Sequence, residues 1–519
     1  MQAAETGVPN HRAGTASRAP SGVRGFFVRA LVPTPGVGVG VAAFVATLTR
    51  PNNPDTLWHM AIGRWILAHH AVPDISHFYY STSAGFGYDY SWLSQVVLSG
   101  AYQWLGGAGV AIVNSAVAGF IFYLLYKMIE RDNPNMLLNL IPLGFALVTT
   151  AAYLSGRPVM FTMAFLTLEV FILSGWVERM GERRGASDQP RGARRPAIGV
   201  RYSLWLIPLV TAIWTNLHPG FAVAPFVILV FLPMARQVRD RWALIVCFIA
   251  SVAAVAINPY GWRMYSMPLE IARALPMLRG LSEWSGVADW ETVVWGCFVA
   301  MVTWGLSLRR QPITVILLVT AAALASGVSN RNMPLFGVVA VFALGRTLLP
   351  ALAPAAGRSG FLRKFDAKFE AAGGWFWAIA VPLALVGAVR LRVSPMNLDF
   401  DFSGYPAAAV RYVEAQGLPD NLFVRETWSS YLLWARPDRK LFFDAKGGFG
   451  PQAVTDHSAL VKPKPDWRSV ADRCGISTFL LERGSPLAVV LSETADWHRE
   501  YSDSLSEVFV REPGDRAGH

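Results

Sequence analysis

Residues 107–128 read GAGVAIVNSAVAGFIFYLLYKM, with a single charge, Lys127, near the far end. A bilayer-spanning helix needs about 20 mainly apolar residues, and this stretch supplies them. The same test picks 32–49 before it and 136–153, 159–177, 203–217, 219–234, 242–258, 292–308, 312–327, 334–349 and 375–390 after it. Composition agrees. Of 519 residues 53% are hydrophobic and 16% charged, at a mean hydropathy of +0.35, whereas ordinary soluble domains are about 25% charged. That balance excludes a soluble globular enzyme and a disordered tail protein. Three cysteines exclude a disulfide-built scaffold: Cys247 and Cys297 fall in expected spans and Cys474 stands alone. The fold class expected is a polytopic α-helical membrane protein of about 11 transmembrane helices.

The net charge of +11 is consistent with an anionic partner or with membrane topology, and position separates the two. The N-terminus and even-numbered connections, with the span ends bordering them, hold 23 Lys and Arg; the opposite loops hold 7. The richest segment, ERMGERRGASDQPRGARRPAIGVRY (178–202), has seven arginines. Cationic loops stay in the cytoplasm, so residues 1–31 are expected inside as a cytoplasmic tail. The apolar region 32–390 carries a long first outer loop, 50–106. After an odd number of spans, 391–519 is expected outside, in the periplasm. That tail has 15 Lys and Arg against 18 Asp and Glu. It alternates strand-like and helix-like runs: NLFVRE (421–426), WSSYLLWA (428–435), KLFFDAKG (440–447), WRSVADRCG (467–475), STFLLE (477–482) and SEVFVRE (506–512). A small α/β domain is expected there. Basic residues dispersed over loops, rather than gathered on one soluble domain, speak against nucleic-acid binding.

Polar residues collect on the outer side. In the first loop, DTLWHMAIGRWIL (55–67) has apolar residues at helical spacing, which suggests a helix lying in the interface with Trp58 and Trp65 at headgroup level. Asp55 stands at its N-terminus, where capping is the ordinary role; Asp74 follows Pro73 in a turn setting. His59, His69, His70 and His77 crowd this loop at a spacing that matches no zinc signature. The short outer connections are SGRP with Arg157, TNLHPG with Asn216 and His218, and SNRNMP with Arg331 and Asn332. The longer NPYGWRMYSMPLEIARALPMLRGLSEWSG (258–286) includes Glu283. Glu169, amid FLTLEVFIL, costs about 2.5–3.5 kcal/mol to insert near the bilayer centre, so a partner or cavity is expected for it. Arginines at a membrane surface suit a phosphate-bearing lipid, because guanidinium offers paired donors to phosphate oxygens. A carboxylate nearby suits removal of a proton from an attacking hydroxyl.

The order of these motifs resembles the bacterial, polyprenyl-phosphate-sugar-dependent branch of the GT-C-type integral membrane glycosyltransferases. The matching pieces are DTLWHMAIGRWIL, VPDISHFYYST, YSWLSQ, SGRPVMFTMAF, WTNLHPGF, NPYGWRMYSMPLE, LSEWSG and SNRNMPLF. In the tail, YPAAAVRYVEAQGLPDNLFVRETWSSYLLWARPDRKLFFDAKG is similar to the outward domain of such proteins. The resemblance implies an acidic residue in the first outer loop that acts as base or binds a divalent cation such as Mg or Mn. Asp55 matches that position, and Asp74 is a second candidate. Such proteins often carry a further acid at the position of Ser91 or Ser94, beside Trp92; here both are serine, so that helper carboxylate is absent.

The resulting expectation is an enzyme of the inner (plasma) membrane that moves a sugar from a lipid-linked donor to a hydroxyl of a glycan, lipid or protein acceptor on the outer face. Asp55 and Asp74 are its catalytic candidates, and Arg157 and Arg331 hold the donor phosphate. His59, Asn216, His218, Glu283 and Asn332 line the cleft. The competing readings are a transporter or flippase and a non-catalytic assembly partner in polysaccharide export.

Overall fold

The computed structural model describes residues 35–81, 89–133, 135–151, 153–185, 203–267, 269–270, 289–308, 311–371, 398–444 and 451–512. The expected span 375–390, the N-terminal tail 1–31 and Glu283 lie outside the described residues. The chain is mostly helical. It opens with α1 (Pro35–Thr47), α2 (Pro54–His69), α3 (Trp92–Leu105), α4 (Gly107–Ile129), α5 (Met136–Ala151) and α6 (Val159–Gly185). There follow α7 (Leu206–Leu217), α8 (Val223–Phe231), α9 (Val238–Ala254), α10 (Asp289–Leu308), α11 (Ile313–Val328), α12 (Met333–Arg346), α13 (Leu348–Arg358) and α14 (Gly360–Ala371).

Two of these, Gly107–Ile129 and Val159–Glu178, are long and apolar enough to cross a membrane, and a bent pair, Asn330–Arg346 with Leu348–Arg358 at 53°, makes a third if it forms one span. Six further apolar helices run 10–17 residues, short of the roughly 20 that span a hydrocarbon core. The centre of the helical body is α12, buried along nearly its whole length and packed by α4, α5, α6, α10, α11 and α13. A helix apolar on every side belongs there.

The helix α2 carries Asp55 in its first turn. Its start follows from sequence: Asn53 accepts a hydrogen bond from the Asp55 amide, Pro54 opens the first turn, and His70 ends the helix in the left-handed conformation at φ 53°. Leu57, Trp58 and Ile62 are buried, because α2 is clamped between α3 and a helix of the C-terminal region. Apolar residues on all its sides make burial the lower free-energy state. At Gly63 a Cβ would sit 2.1 Å from the Gln95 carbonyl oxygen, so only glycine lets α2 and α3 approach this closely.

The C-terminal region holds α15 (Ala407–Ala415), β1 (Leu422–Val424), α16 (Glu426–Ala435), α17 (Pro451–Val461), α18 (Trp467–Arg473), β2 (Thr478–Glu482), α19 (Pro486–Ser492), β3 (Trp497–Ser502) and β4 (Ser506–Arg511). The four strands form one sheet in the order β1-β2-β4-β3, with β1 parallel to β2 and the other pairs antiparallel. The run at 440–444 is not in that sheet. Leu441 instead bridges Tyr79: its amide donates to the Phe78 carbonyl at 2.8 Å and its carbonyl accepts from the Tyr80 amide at 3.0 Å. Arg64 reaches from α2 to the Trp434 carbonyl at 2.7 Å. The sheet-bearing region is thus fastened to α2 and to the segment that follows it, and it brings Asp444 with it.

Candidate functional site

Asp55 sits in the first turn of α2, where the helix dipole favours a carboxylate. Its Oδ2 lies 2.7 Å from Nη2 of Arg157, and the two side chains are 12% and 9% exposed. Arg157 is held for this by the turn before α6. Gly156 takes φ +79°, and its amide donates to Asn114 Oδ1 at 3.2 Å, while Thr56 donates to the Ser155 carbonyl at 3.2 Å. The N-terminus of α2 and the 155–157 turn are therefore stitched together.

One turn beyond Asp55, His59 is buried, and its Nδ1 has no hydrogen-bond partner. Burial, then the positive charges of Arg157 and Arg331, hold its imidazole down to about 3, so it is neutral. His218 lies well below its ordinary range for the same reasons: burial first, then Arg331, His59 and Arg157. Its tautomer is legible. Trp214 donates to Thr162 Oγ1 at 2.8 Å, Thr162 lies 2.7 Å from His218 Nδ1, and the Gly220 amide donates to that nitrogen at 3.1 Å. Nδ1 is thus the acceptor and Nε2 carries the proton. Four connections far apart in sequence, around residues 55–59, 157, 218 and 331, converge on one place.

Two further carboxylates join them that the sequence reading passed over. Asp444 is buried and accepts a hydrogen bond from Tyr79 at 2.6 Å. Asp89 is 2% exposed; its Oδ1 accepts from Gln95 Nε2 at 2.8 Å and from the Ser91 amide at 3.3 Å, and its Oδ2 has no hydrogen-bond partner. Burial pushes Asp89 up to about 7, against the opposing pull of those two bonds. Tyr90 is raised first by its burial and is subject to the charges of Arg331, Asp89, Asp444 and Arg157. A buried carboxylate thus stands two residues before Ser91 in the chain. An acid preceding an Asx-type turn reads locally as a cap, and nothing in the sequence marks Asp89 otherwise.

The other expected residues take scaffold roles or stand apart. Asp74 is exposed and caps the short helix Ile75–Phe78 through the Ser76 amide at 2.9 Å. Asn216 has its whole amide engaged: Oδ1 accepts from Trp92 Nε1 at 2.8 Å and Asn258 Nδ2 at 3.2 Å, while Nδ2 donates to the Ala212 and Ile257 carbonyls, both at 2.7 Å. It is a clasp joining α7, α3 and the 257–258 turn. Asn332 donates to the Ala325 carbonyl at 3.1 Å, beside Arg331. His69 bonds the Trp65 carbonyl and stacks on its ring. Glu169 is fully buried in α6 with neither oxygen hydrogen-bonded. Among the described residues no three His, Cys, Asp or Glu side chains gather to hold a metal ion, and Asp55 is committed to Arg157. The described residues at this place do not fit a divalent cation.

No protein-family model matches the chain, and no curated protein matches it in sequence. Among solved structures it is similar to the oligosaccharyltransferase of Archaeoglobus fulgidus in its apo form, with a TM-score of 0.51 at 11% identity, over 86% of this chain and 69% of that one. It is also similar to ArnT from Cupriavidus metallidurans bound to undecaprenyl phosphate, with a TM-score of 0.43 at 12% identity, over 94% of this chain and 98% of that one. The first likeness is one of fold. The chain shares the fold of that oligosaccharyltransferase.

Proposed function

We propose that this chain is a multi-pass glycosyltransferase of the plasma membrane. It moves a sugar from a polyprenyl-phosphate-type donor to a hydroxyl of a glycan, lipid or protein on the outer face, in cell-envelope polysaccharide or glycoconjugate synthesis. Eleven spans, a cytoplasmic N-terminus and an outward sheet-bearing region belong to this reading, supported by the cationic bias of the connections. The observation that carries it is the buried ion pair of Asp55 with Arg157, placed with Arg331 and two neutral histidines on a GT-C fold.

In the reaction, the acceptor oxygen forms a bond to the anomeric carbon while the bond from that carbon to the phosphate oxygen breaks. The lipid phosphate leaves with one more negative charge. Arg157, buried, and Arg331, half-buried, stabilise that charge through their guanidinium donors. Asp55 receives the proton of the acceptor hydroxyl. Neutralising Asp55 in that way releases Arg157 from its ion pair at the moment the leaving phosphate needs it. His59 and His218, kept neutral, add no competing charge, and the Nε2–H of His218 is a hydrogen-bond donor.

The test is transfer by purified protein from undecaprenyl-phosphate-linked sugars to an acceptor extract. Asp55→Ala is expected to lower the rate by roughly 100-fold or more, within the range a positioned proton acceptor supplies. An Asp55→Ala protein that transfers at the full rate removes Asp55 from the mechanism.

A further inference from the structure

His218 receives two hydrogen bonds on one ring nitrogen. The Gly220 amide donates to Nδ1 at 3.1 Å, and Thr162 Oγ1 lies 2.7 Å from the same atom. Thr162 in turn accepts from Trp214 Nε1 at 2.8 Å. The protons fix every direction. An indole nitrogen and a backbone amide only donate, so Trp214 occupies a lone pair of the hydroxyl and Gly220 requires Nδ1 to be bare. The single proton of Thr162 is then given to Nδ1. Capping does not account for both bonds. The Gly220 bond alone caps the short turn Pro219–Ala222. The shorter bond from Thr162 is a second hold on a nitrogen already satisfied.

The hold comes from a packed part of the molecule. Trp214 and Thr162 are 0% and 2% exposed, while His218 keeps part of its surface exposed. A Cβ at Gly220 would sit 2.3 Å from Thr162 Oγ1, so glycine is what lets the link after α7 close on α6. Helix α6 opens at Val159, just after Arg157, and Thr162 stands near its start. One helix start thus carries both the arginine that meets Asp55 and the hydroxyl that meets His218. The ring is subject to the charges of Arg331, His59 and Arg157, so it lies within the field of both arginines.

From this geometry we infer that Thr162, backed by Trp214, is a positioning residue: it fixes the His218 ring so that Nε2–H, on the opposite edge, donates to the phosphate of the lipid-linked sugar alongside Arg157 and Arg331. A neutral N–H gives an anion a directed hydrogen bond without placing a third positive charge beside two guanidinium groups. A donor held in advance contributes most where charge develops, here on the leaving phosphate oxygen. Thr162 acts through His218 and touches no substrate itself. Its role rests on the phosphate reading above and extends it to what aims the third donor.

The experiment compares wild type, Thr162→Val, Thr162→Ser and Thr167→Val in detergent-purified protein. Thr167 lies on the same helix, is fully buried and donates to the Met163 carbonyl at 2.7 Å, so its valine variant shows what losing a buried hydroxyl of α6 does by itself. Two quantities are read: affinity for bare undecaprenyl phosphate, and the nitrogen NMR resonances of the His218 ring, assigned by their loss in a His218→Gln protein. Wild type should show Nε2 protonated and Nδ1 bare. Thr162→Val should weaken undecaprenyl phosphate about 2- to 10-fold, the worth of one neutral hydrogen bond, and move Nδ1 toward an unbonded ring nitrogen. Thr162→Ser, which keeps the hydroxyl, should restore both, and Thr167→Val should change neither. If Thr162→Val binds like wild type, if Thr167→Val weakens binding equally, or if serine does not rescue, Thr162 is structural only. A wild-type spectrum with Nδ1 protonated overturns the positioning without any variant. Arg157→Gln separates the premise: if it leaves the affinity intact, the phosphate reading fails, while the Nδ1 resonances still judge the hold on His218.

Discussion

His59 and Asp89 make opposite predictions about how stability responds to pH, and the pair can be tested without any substrate. His59 is held down to about 3 from 6.5, by burial first and then by Arg157 and Arg331. Between those values the unfolded chain binds a proton that the folded chain refuses, so stability rises with pH by about 1.4 kcal/mol per unit. Asp89 is pushed up from 3.8 to about 7, chiefly by burial. There the folded chain holds a proton that the unfolded chain has released, so this contribution falls with rising pH at the same slope. From about pH 4 to about pH 6.5 the two cancel, and each is visible only when the other is removed. Going from about pH 6.5 down to about pH 5, His59→Gln should gain about 2 kcal/mol relative to wild type. Asp89→Asn should lose about 2 kcal/mol relative to wild type over the same step. Equilibrium unfolding in mixed detergent and dodecyl sulfate micelles, followed by tryptophan fluorescence at the two pH values, reads both. Comparing each variant with wild type removes the other titrating groups. Curves for both variants that run parallel to wild type, or that shift in the same direction, would refute the assignment of a neutral histidine and a protonated carboxyl to this cluster.

Other consequences are as direct. Asp55→Asn and Arg157→Gln should each destabilise by about 3–5 kcal/mol, because each removes one half of a buried ion pair. The double variant should lose clearly less than the sum, in a double-mutant cycle by the same unfolding assay. Gly156→Ala places a Cβ 3.1 Å from Val110 Cγ1 and 3.2 Å from Thr56 at φ +79°, a strain on the order of 1–3 kcal/mol. Weaker binding of undecaprenyl phosphate is expected, since Arg157 is the next residue. Asp444→Asn weakens the 2.6 Å bond from Tyr79, worth about 1.5–3 kcal/mol as a charged hydrogen bond. Hydrogen exchange should then accelerate at the Tyr80 and Leu441 amides while the sheet amides of β2 and β4 stay protected.

Much of the helical body is legible along the chain, because apolar content is a local quantity: GAGVAIVNSAVAGFIFYLLYKM announces a helix with no knowledge of its neighbours. Arg157, His218 and Arg331 are legible too, each a polar residue stranded in a short link between apolar runs. The edge strand β3, WHREYS, is polar and exposed along most of its length, so no alternation marks it. KLFFDA looks like a sheet strand but pairs with Tyr79 instead, since the apolar alternation that suits a sheet suits any extended partner.

What the sequence determined by itself is therefore the apolar helices, their connections and the stock of charged side chains left on one side. Only the tertiary structure decided that Asp55 meets Arg157, that α2 packs against α3 and α16, that Asp74 is an exposed cap and that Asn216 is a clasp. It alone brought in Asp89, through a bond to Gln95 that no motif foretells, and Asp444, from 365 residues beyond Tyr79. Hydropathy adds up over neighbours in the chain, but an ion pair depends on distance in space and on the water excluded around it. Those are set when distant helices pack, and a window of sequence does not contain them.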